Sequence, residues 1–469
     1  MISVPPPPSS HLPVEIIELI IDHITSARVL GNCSLVCTDW LPRSRHHLFK
    51  TVHLWSWRVC GFLDLVNTRG CTFSEQIERI EVDDARRRRL RKTRSRSPSP
   101  STKARITEPE NLPLSFMDMI SLLCSVAPNV SIHTLSIHNV DWTSLSLQQR
   151  TRLRHDLASS FHGIHSLELC DATFHDTREV TRILEVFPQL KHLTADVKFT
   201  KYAAHLRLSS GLGAALKSLD VGTDDAIQVF LASAKVEALT LRNIKLDDFK
   251  YIHPFMKKEG AKLKDVHFEL DAKNFPTDKP PPSDEDVLGG LNFSKSGQLR
   301  TLSIQGLTLT SSSKIPLIIE RNLLQILSSI ESSCLDVIAL GFHLENGSPY
   351  ASIELDWKRI QHVLLGLHFF GLRRVYFSVD VEKDQEVAVA KWVQGNMPDL
   401  FARGVLQVEV QDSSRGQSSF EDVEMNEILS EGLQGIVRRS WYDKLALIRS
   451  FGQFVRSRHN ECMRVNPKI

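Results

Sequence analysis

Cys33 and Cys37 lie one helical turn apart and are followed by His46 and His47, a donor set that could be drawn as a zinc site. No metal is expected there. Histidine is frequent, at 19 residues, but His133, His138, His165, His192 and His267 fall beside successive strand positions of a repeat. That distribution describes a polar surface more simply than a catalytic cluster. No Walker phosphate loop, paired-histidine zinc helix or nucleophile elbow occurs. The fragment GLGA beginning at residue 211 lacks a third glycine and a preceding strand. Neither an enzyme nor a cofactor is expected.

One other segment carries concentrated chemistry. Arg86, Arg87, Arg88, Arg89, Arg91 and Lys92 open a basic run that extends to Arg96 and is followed by Ser97-Pro98-Ser99-Pro100. Three readings are open: a nuclear-import signal, an RNA-contacting arm, or a solvated insert with no task. No aromatic residue is interleaved to stack on bases, which weighs against nucleic acid. Phosphorylation of the Ser-Pro pairs would cancel part of the charge.

The chain that must position these residues has 469 of them, 42% hydrophobic and 24% charged, an ordinary globular composition. Formal net charge is +2, but ten Arg or Lys and no Asp or Glu lie between Ala85 and Arg105. The remainder carries 47 basic against 55 acidic residues, so positive charge is local. Eight scattered cysteines do not make a disulfide scaffold, and no apolar run is long enough to span a membrane. The start, MISVPPPPSS, shows no secretory signal. These features together predict a cytoplasmic or nuclear protein with no membrane contact.

Residues 1–10 form a Pro-rich leader expected to be disordered. Pro13 then suits a first helical turn, and Ile16, Ile20 and Ile24 recur at spacing four, widened by Ile17 and Ile21. Two or three short helices are expected before Phe49, too few to hold much core alone.

Most of the rest repeats apolar-x-x-apolar-x-apolar. The units are Ile77/Ile80/Val82, Ile132/Leu135/Ile137, Ile164/Leu167/Leu169, Leu190/Leu193/Ala195 and Leu216/Leu219/Val221. They continue as Val236/Leu239/Leu241, Leu263/Val266/Phe268, Leu299/Leu302/Ile304, Leu335/Ile338/Leu340 and Leu372/Val375/Phe377. From Ile132 the steps are 32, 26, 26, 20, 27, 36, 36 and 37 residues. Amphipathic stretches at 116–127, 176–187, 224–232, 247–256, 322–330 and 358–367 predict intervening helices. Strand then helix about every 30 residues is the leucine-rich-repeat plan, here with uneven steps and few of the Asn or Cys residues that usually follow the strand. Asp271 to Gln298, with its PPPSDEDVLGG, reads as a long loop.

LPVEIIELIIDHI from Leu12 to Ile24, CSLVCTDWLP from Cys33 to Pro42 and HLFKTVHL from His47 to Leu54 together resemble an F-box. That module binds the adaptor of cullin-based ubiquitin ligases. The resemblance covers less than a tenth of the chain, and the link at 27–31 is shorter than in many members. An F-box followed by irregular repeats is similar to many fungal F-box proteins. The resemblance implies that Leu12, Pro13, Ile16, Ile20, Leu35, Val36 and Trp40 contact the adaptor.

The expected fold class is α/β: a small N-terminal helical F-box followed by an irregular strand–helix leucine-rich-repeat-like solenoid. Expected boundaries are a leader at 1–10, the F-box at 11–54, a connecting helix and first repeat strand at 55–83 and a basic insert at 84–111. The repeat domain then covers 112–411 and a tail without assigned role 412–469. The implied function is non-catalytic substrate recognition in such a ligase, with adaptor and cullin reached through the F-box and an unknown protein target on the repeats. A repeat scaffold without a ubiquitin role, or an RNA-associated repeat protein using the basic insert, are the alternatives.

Overall fold

A strand whose second and third apolar positions lie two residues apart turns both side chains to one face. The computed structural model bears this spacing out in every unit. All thirty apolar positions of the ten repeats are buried, none more than 8% exposed. The model describes residues 12–55, 59–68, 71, 73–84, 115–126, 130, 132–201, 215–271, 291–309, 315–344, 355–366, 369–381 and 385–412. The leader, the basic insert apart from Asp84, and the tail beyond Asp412 lie outside these residues.

Twelve strands form one sheet in chain order. They are β1 (Thr51–Trp55), β2 (Arg79–Asp83), β3 (Thr134–His138), β4 (Ser166–Phe174), β5 (His192–Phe199) and β6 (Ser218–Val221). They continue with β7 (Ala238–Ile244), β8 (Asp265–Leu270), β9 (Thr301–Leu309), β10 (Val337–Leu344), β11 (Arg374–Val381) and β12 (Leu406–Asp412). Every neighbouring pair is parallel. The pairing register aligns the repeats. Leu135 pairs with Leu167, Leu167 with Leu193, Leu193 with Leu219 and Leu219 with Leu239, a continuous apolar row beneath the sheet. This is an α/β protein that grows by one strand per unit, in the manner of a solenoid.

The sheet is longer than the ten units. β1 carries the pattern as Phe49-x-x-Val52-x-Leu54, but it overlaps the end of the N-terminal helical segment. β12 has Leu406 and Val408 in register with Val375 and Phe377, yet Arg403 occupies the first apolar position. The 11–54 segment therefore ends in a strand of the sheet.

Helices cover the apolar side. The N-terminal trio is α1 (Val14–Asp22), α2 (Ala27–Cys33) and α3 (Leu41–Lys50), followed by α4 (Val59–Asn67) and α5 (Phe116–Val126). Next come α6 (Leu147–Ser160), α7 (Thr177–Leu184), α8 (Asp224–Leu231) and α9 (Phe249–Glu259). The last are α10 (Ile315–Ser328), α11 (Trp357–Leu364), α12 (Glu386–Asn396) and α13 (Pro398–Ala402). Side chains cap the starts of several of these helices: Asp176, Thr223 and Asp356 each accept a backbone N–H of the first turn. Helix α6 has no counterpart among the expected helices. It is polar almost throughout, with only Leu153 and Leu157 buried, although its capping box of Ser146 and Gln149 marks its start.

The expected long loop from Asp271 to Gln298 is not all loop surface. Leu291 and Phe293 at its end are buried, Phe293 beside Phe268 at a centroid distance of 6.5 Å.

After the third apolar position the strands bend. Asn139, Asp171 and Asn243 take positive φ at equivalent points of three units, and Gly306 does so in a fourth. At Asp171, Asn243 and Gly306 the pairing register shifts by a residue. Asn and Asp tolerate the left-handed region and Gly enters it freely, so a bulge is built where those types occur.

Candidate protein-interaction surfaces

Helix α1 has two apolar sides. Its backbone starts at Pro13, whose carbonyl accepts the N–H groups of Ile16 and Ile17 at 3.1 and 3.3 Å. Ile21 is buried, and Ile17 and Ile24 pack with it against Leu30, Cys33 and Trp40. This cluster is separate from the large core beneath the sheet. The opposite side exposes Ile16 and Leu19, Leu12 and Val14 are exposed just before and at the start of α1, and Val29 and Leu35 are exposed on and just after α2. Leu35 is 82% exposed. A module of this size does not leave six large apolar side chains in water without consequence.

The residues expected to contact a partner are divided by this arrangement. Leu12, Pro13, Ile16 and Leu35 are exposed, and Ile20 and Val36 are half-buried. Trp40 is only 4% exposed and packs inside the small core, so it braces the surface from behind and offers no contact of its own. The inward seam is Ile17–Ile21–Ile24, displaced by one residue from the Ile16–Ile20 stripe read from spacing. Leu19 lies three residues after Ile16, so the spacing of α1 contains its signal, whereas nothing in that spacing marks Val14 or Val29 as exposed. Arg86, Arg87, Arg88, Arg89, Arg91 and Lys92 lie outside the described residues.

An ionic clasp holds α1 to α3. Asp22 accepts hydrogen bonds from Arg43 Nε and, at 2.6 Å, from Arg43 Nη2, while His47 Nε2 lies 2.9 Å from the same carboxylate. The Arg43 bonds hold the Asp22 carboxyl below its ordinary value. Cys33 is buried and Cys37 exposed, and His47 is engaged by Asp22, so the drawn zinc set is not assembled. Among the described residues no group of three His, Cys, Asp or Glu side chains could hold a metal.

The second surface is the sheet face turned away from the helices. The middle residue of each unit points there: Glu81, Ser136, Glu168, Thr194, Asp220, Thr240 and His267 follow one another in register. Ion pairs tie distant units together. Arg79 donates to Glu168 through Nη1 at 2.7 Å and Nη2 at 2.5 Å, and to Glu81 through Nε at 2.7 Å. Ser136 Oγ donates to Glu168 at 2.7 Å. Farther along, Arg242 Nε donates to Asp220 at 2.9 Å. Burial, with the Arg242 guanidinium nearby, pushes the His267 imidazole down to about 4. Of the five expected surface histidines, His133, His165 and His192 stand at the start of their strands, while His267 lies mid-face and His138 ends β3.

No described helix is long and apolar enough to cross a membrane. No family model matches the chain, and no curated protein does. A solved structural-genomics protein from Bacteroides fragilis is similar to it at 13% identity, with a TM-score of 0.32. That likeness covers 64% of this chain and 70% of the other, and is too distant to carry an argument.

Proposed function

We propose that this chain is a non-catalytic substrate-recognition subunit of a cullin-based ubiquitin ligase acting in the cytoplasm or nucleus. The N-terminal helices would dock the ligase adaptor as an F-box does, and the leucine-rich-repeat-like sheet would hold the protein to be modified. The observation that carries this reading is the exposed apolar pair Ile16 and Leu19 on α1, with Leu12 just before the helix, presented on a module with its own small core. An amphipathic helix exposing such a stripe fits a helical partner surface. The motif resemblance at Leu12-Pro13, Leu35-Val36 and Trp40 supports the same occupant. The chain itself would perform no bond-making step; holding the target near the conjugating enzyme raises its effective concentration there.

Copurification followed by mass spectrometry tests the assignment, since adaptor and cullin either accompany the chain or do not. With purified proteins, replacing Leu12 and Pro13 by alanine should weaken adaptor binding by more than about 1 kcal/mol. If the parent chain does not bind the adaptor, the reading as a scaffold without a ubiquitin role replaces it.

A further inference from the structure

The residues just before each strand form a continuous rim. Along it the backbone N–H of each residue bonds to the carbonyl of its neighbour: His165 to His133 at 2.9 Å, Lys191 to His165 at 2.8 Å, Lys217 to Lys191 at 2.7 Å, and Glu237 to Lys217 at 2.8 Å. The same ladder continues through Lys264, Arg300, Asp336 and Arg373, and begins with Lys50 and Glu78.

Charge is distributed unevenly along this rim. Its three carboxylates each hold a flanking cation: Glu78 holds Lys50 at 3.4 Å, Glu237 holds Lys264 at 2.7 Å and Asp336 holds Arg373 at 3.5 Å. Between Glu78 and Glu237 four consecutive strands contribute His133, His165, Lys191 and Lys217, with no acid among them. His192 adds a further imidazole at the start of β5. Lys191, His192 and Lys217 are exposed.

These groups sense one another. Burial lowers the His165 and His192 imidazoles, and repulsion adds to it, from Lys191 and His133 on the first and from Lys191, Lys217 and His165 on the second. Like charges stacked on adjacent strands oppose folding. Glu237, at one end, attracts Lys217 as well as Lys264, so the positive excess centres on His165, Lys191 and His192, and a local conflict of this kind marks a functional surface.

We propose that the rim formed by His165, Lys191, His192 and Lys217 is the docking site for an extended acidic segment of the target protein. Calling the occupant a target rests on the receptor reading above; the docking itself does not. Neighbouring strands lie about 4.8 Å apart, so His165 to Lys217 spans about 10 Å. An extended peptide presents same-side residues about every 6.7 Å and so sets two carboxylates against this length. Ammonium groups suit scattered carboxylates as point charges, and the rim residues named here include no Phe, Tyr or Trp ring.

The test uses the full chain and a fluorescent twelve-residue peptide alternating Asp or Glu with Ser or Gly, followed by anisotropy. Saturable binding is expected, weakened at least tenfold by Lys191→Glu with Lys217→Glu. It should strengthen as the pH is lowered below 6.5, where His165 and His192, both held under that ordinary value, gain protons. The same charge change at the rim's ends, Lys50→Glu with Arg373→Glu, should alter affinity less than twofold. Should the reversal unfold the chain, Lys191→Gln with Lys217→Gln should still weaken binding at least threefold. Absence of binding, equal loss in the end variant, or tighter binding of single-stranded RNA through the same lysines would each overturn the proposal. Adaptor binding by the same variants separates the two readings. Peptide binding without adaptor binding sinks the receptor assignment alone, and adaptor binding without peptide binding sinks the rim alone.

Discussion

Asp196 on β5 and Arg242 on β7 meet across the strand between them. Arg242 Nη2 lies 3.5 Å from Asp196 Oδ2, and the residue in register between the two is Gly222, just past β6. A Cβ there would fall 2.1 Å from Asp196 Oδ1. The missing side chain is what lets the carboxylate and the guanidinium reach each other.

Two glycines should therefore respond differently to alanine. At Gly222 the obstacle is the end of a flexible carboxylate, and Arg242 keeps Asp220, so the loss should stay below about 1 kcal/mol. At Gly306 the φ is +76° and the obstacle is the backbone carbonyl of Leu270, 2.1 Å away. Backbone does not yield as a side chain does, and Gly306→Ala should cost roughly 1–3 kcal/mol or more. Urea unfolding of both variants compares them; a larger loss at Gly222 would contradict this account.

Alternation along a strand makes a similar contrast at Leu239 and Thr240. Leu239 is buried in the row beneath the sheet, whereas Thr240 is half-buried on the open face. Leu239→Ala should cost about 2–5 kcal/mol and Thr240→Ala less than about 1. The same unfolding measurement applies, and equal losses would mean that both faces are packed alike.

In the N-terminal helices, surface and core substitutions should separate binding from stability. Ile16→Asp and Leu35→Asp alter exposed side chains, so the melting curve should hardly move while adaptor binding is lost. Trp40→Ala empties the small core and should cost about 3–5 kcal/mol locally. Hydrogen exchange in α1 to α3 reads this opening. An adaptor that binds the Asp variants as tightly as the parent would remove the docking surface from consideration.

Acid should weaken the fold through His267 before it weakens the Asp22 clasp. His267 titrates at about 4 in the fold against 6.5 when unfolded, so the unfolded chain takes up a proton first. Its contribution is complete above pH 6.5 and falls progressively as pH drops toward 4, by at most about 3 kcal/mol. Asp22 acts lower. Its carboxyl is held below 3.8 by Arg43, so its contribution is present above that pH and disappears only as pH falls through the lowered value. Stability should fall less steeply between pH 6.5 and 4 in His267→Gln than in the parent, the lowered His165 and His192 keeping a share of the slope; an unchanged slope would show that another group carries the dependence.

What the amino-acid order determined by itself was the strand–helix alternation and the buried face. The second and third apolar residues of each unit, two apart, share one face of a strand, the first is buried two residues before that strand begins, and the thirty positions are all buried. It also placed an amphipathic helix at Ile16 to Ile24. Which side of that helix turns inward was a tertiary decision, made by Trp40, Leu30 and Cys33 closing on Ile21 and leaving Ile16 outside. The polar α6 and the end strand β12 escaped the pattern because neighbours supply the burial that their own sequences lack, whereas β1 carries the spacing but lies within the segment read as the N-terminal helical module. The charged rim is the clearest case. Lys191 and Lys217 are 26 residues apart in the chain, and only the parallel register brings them onto adjacent strands.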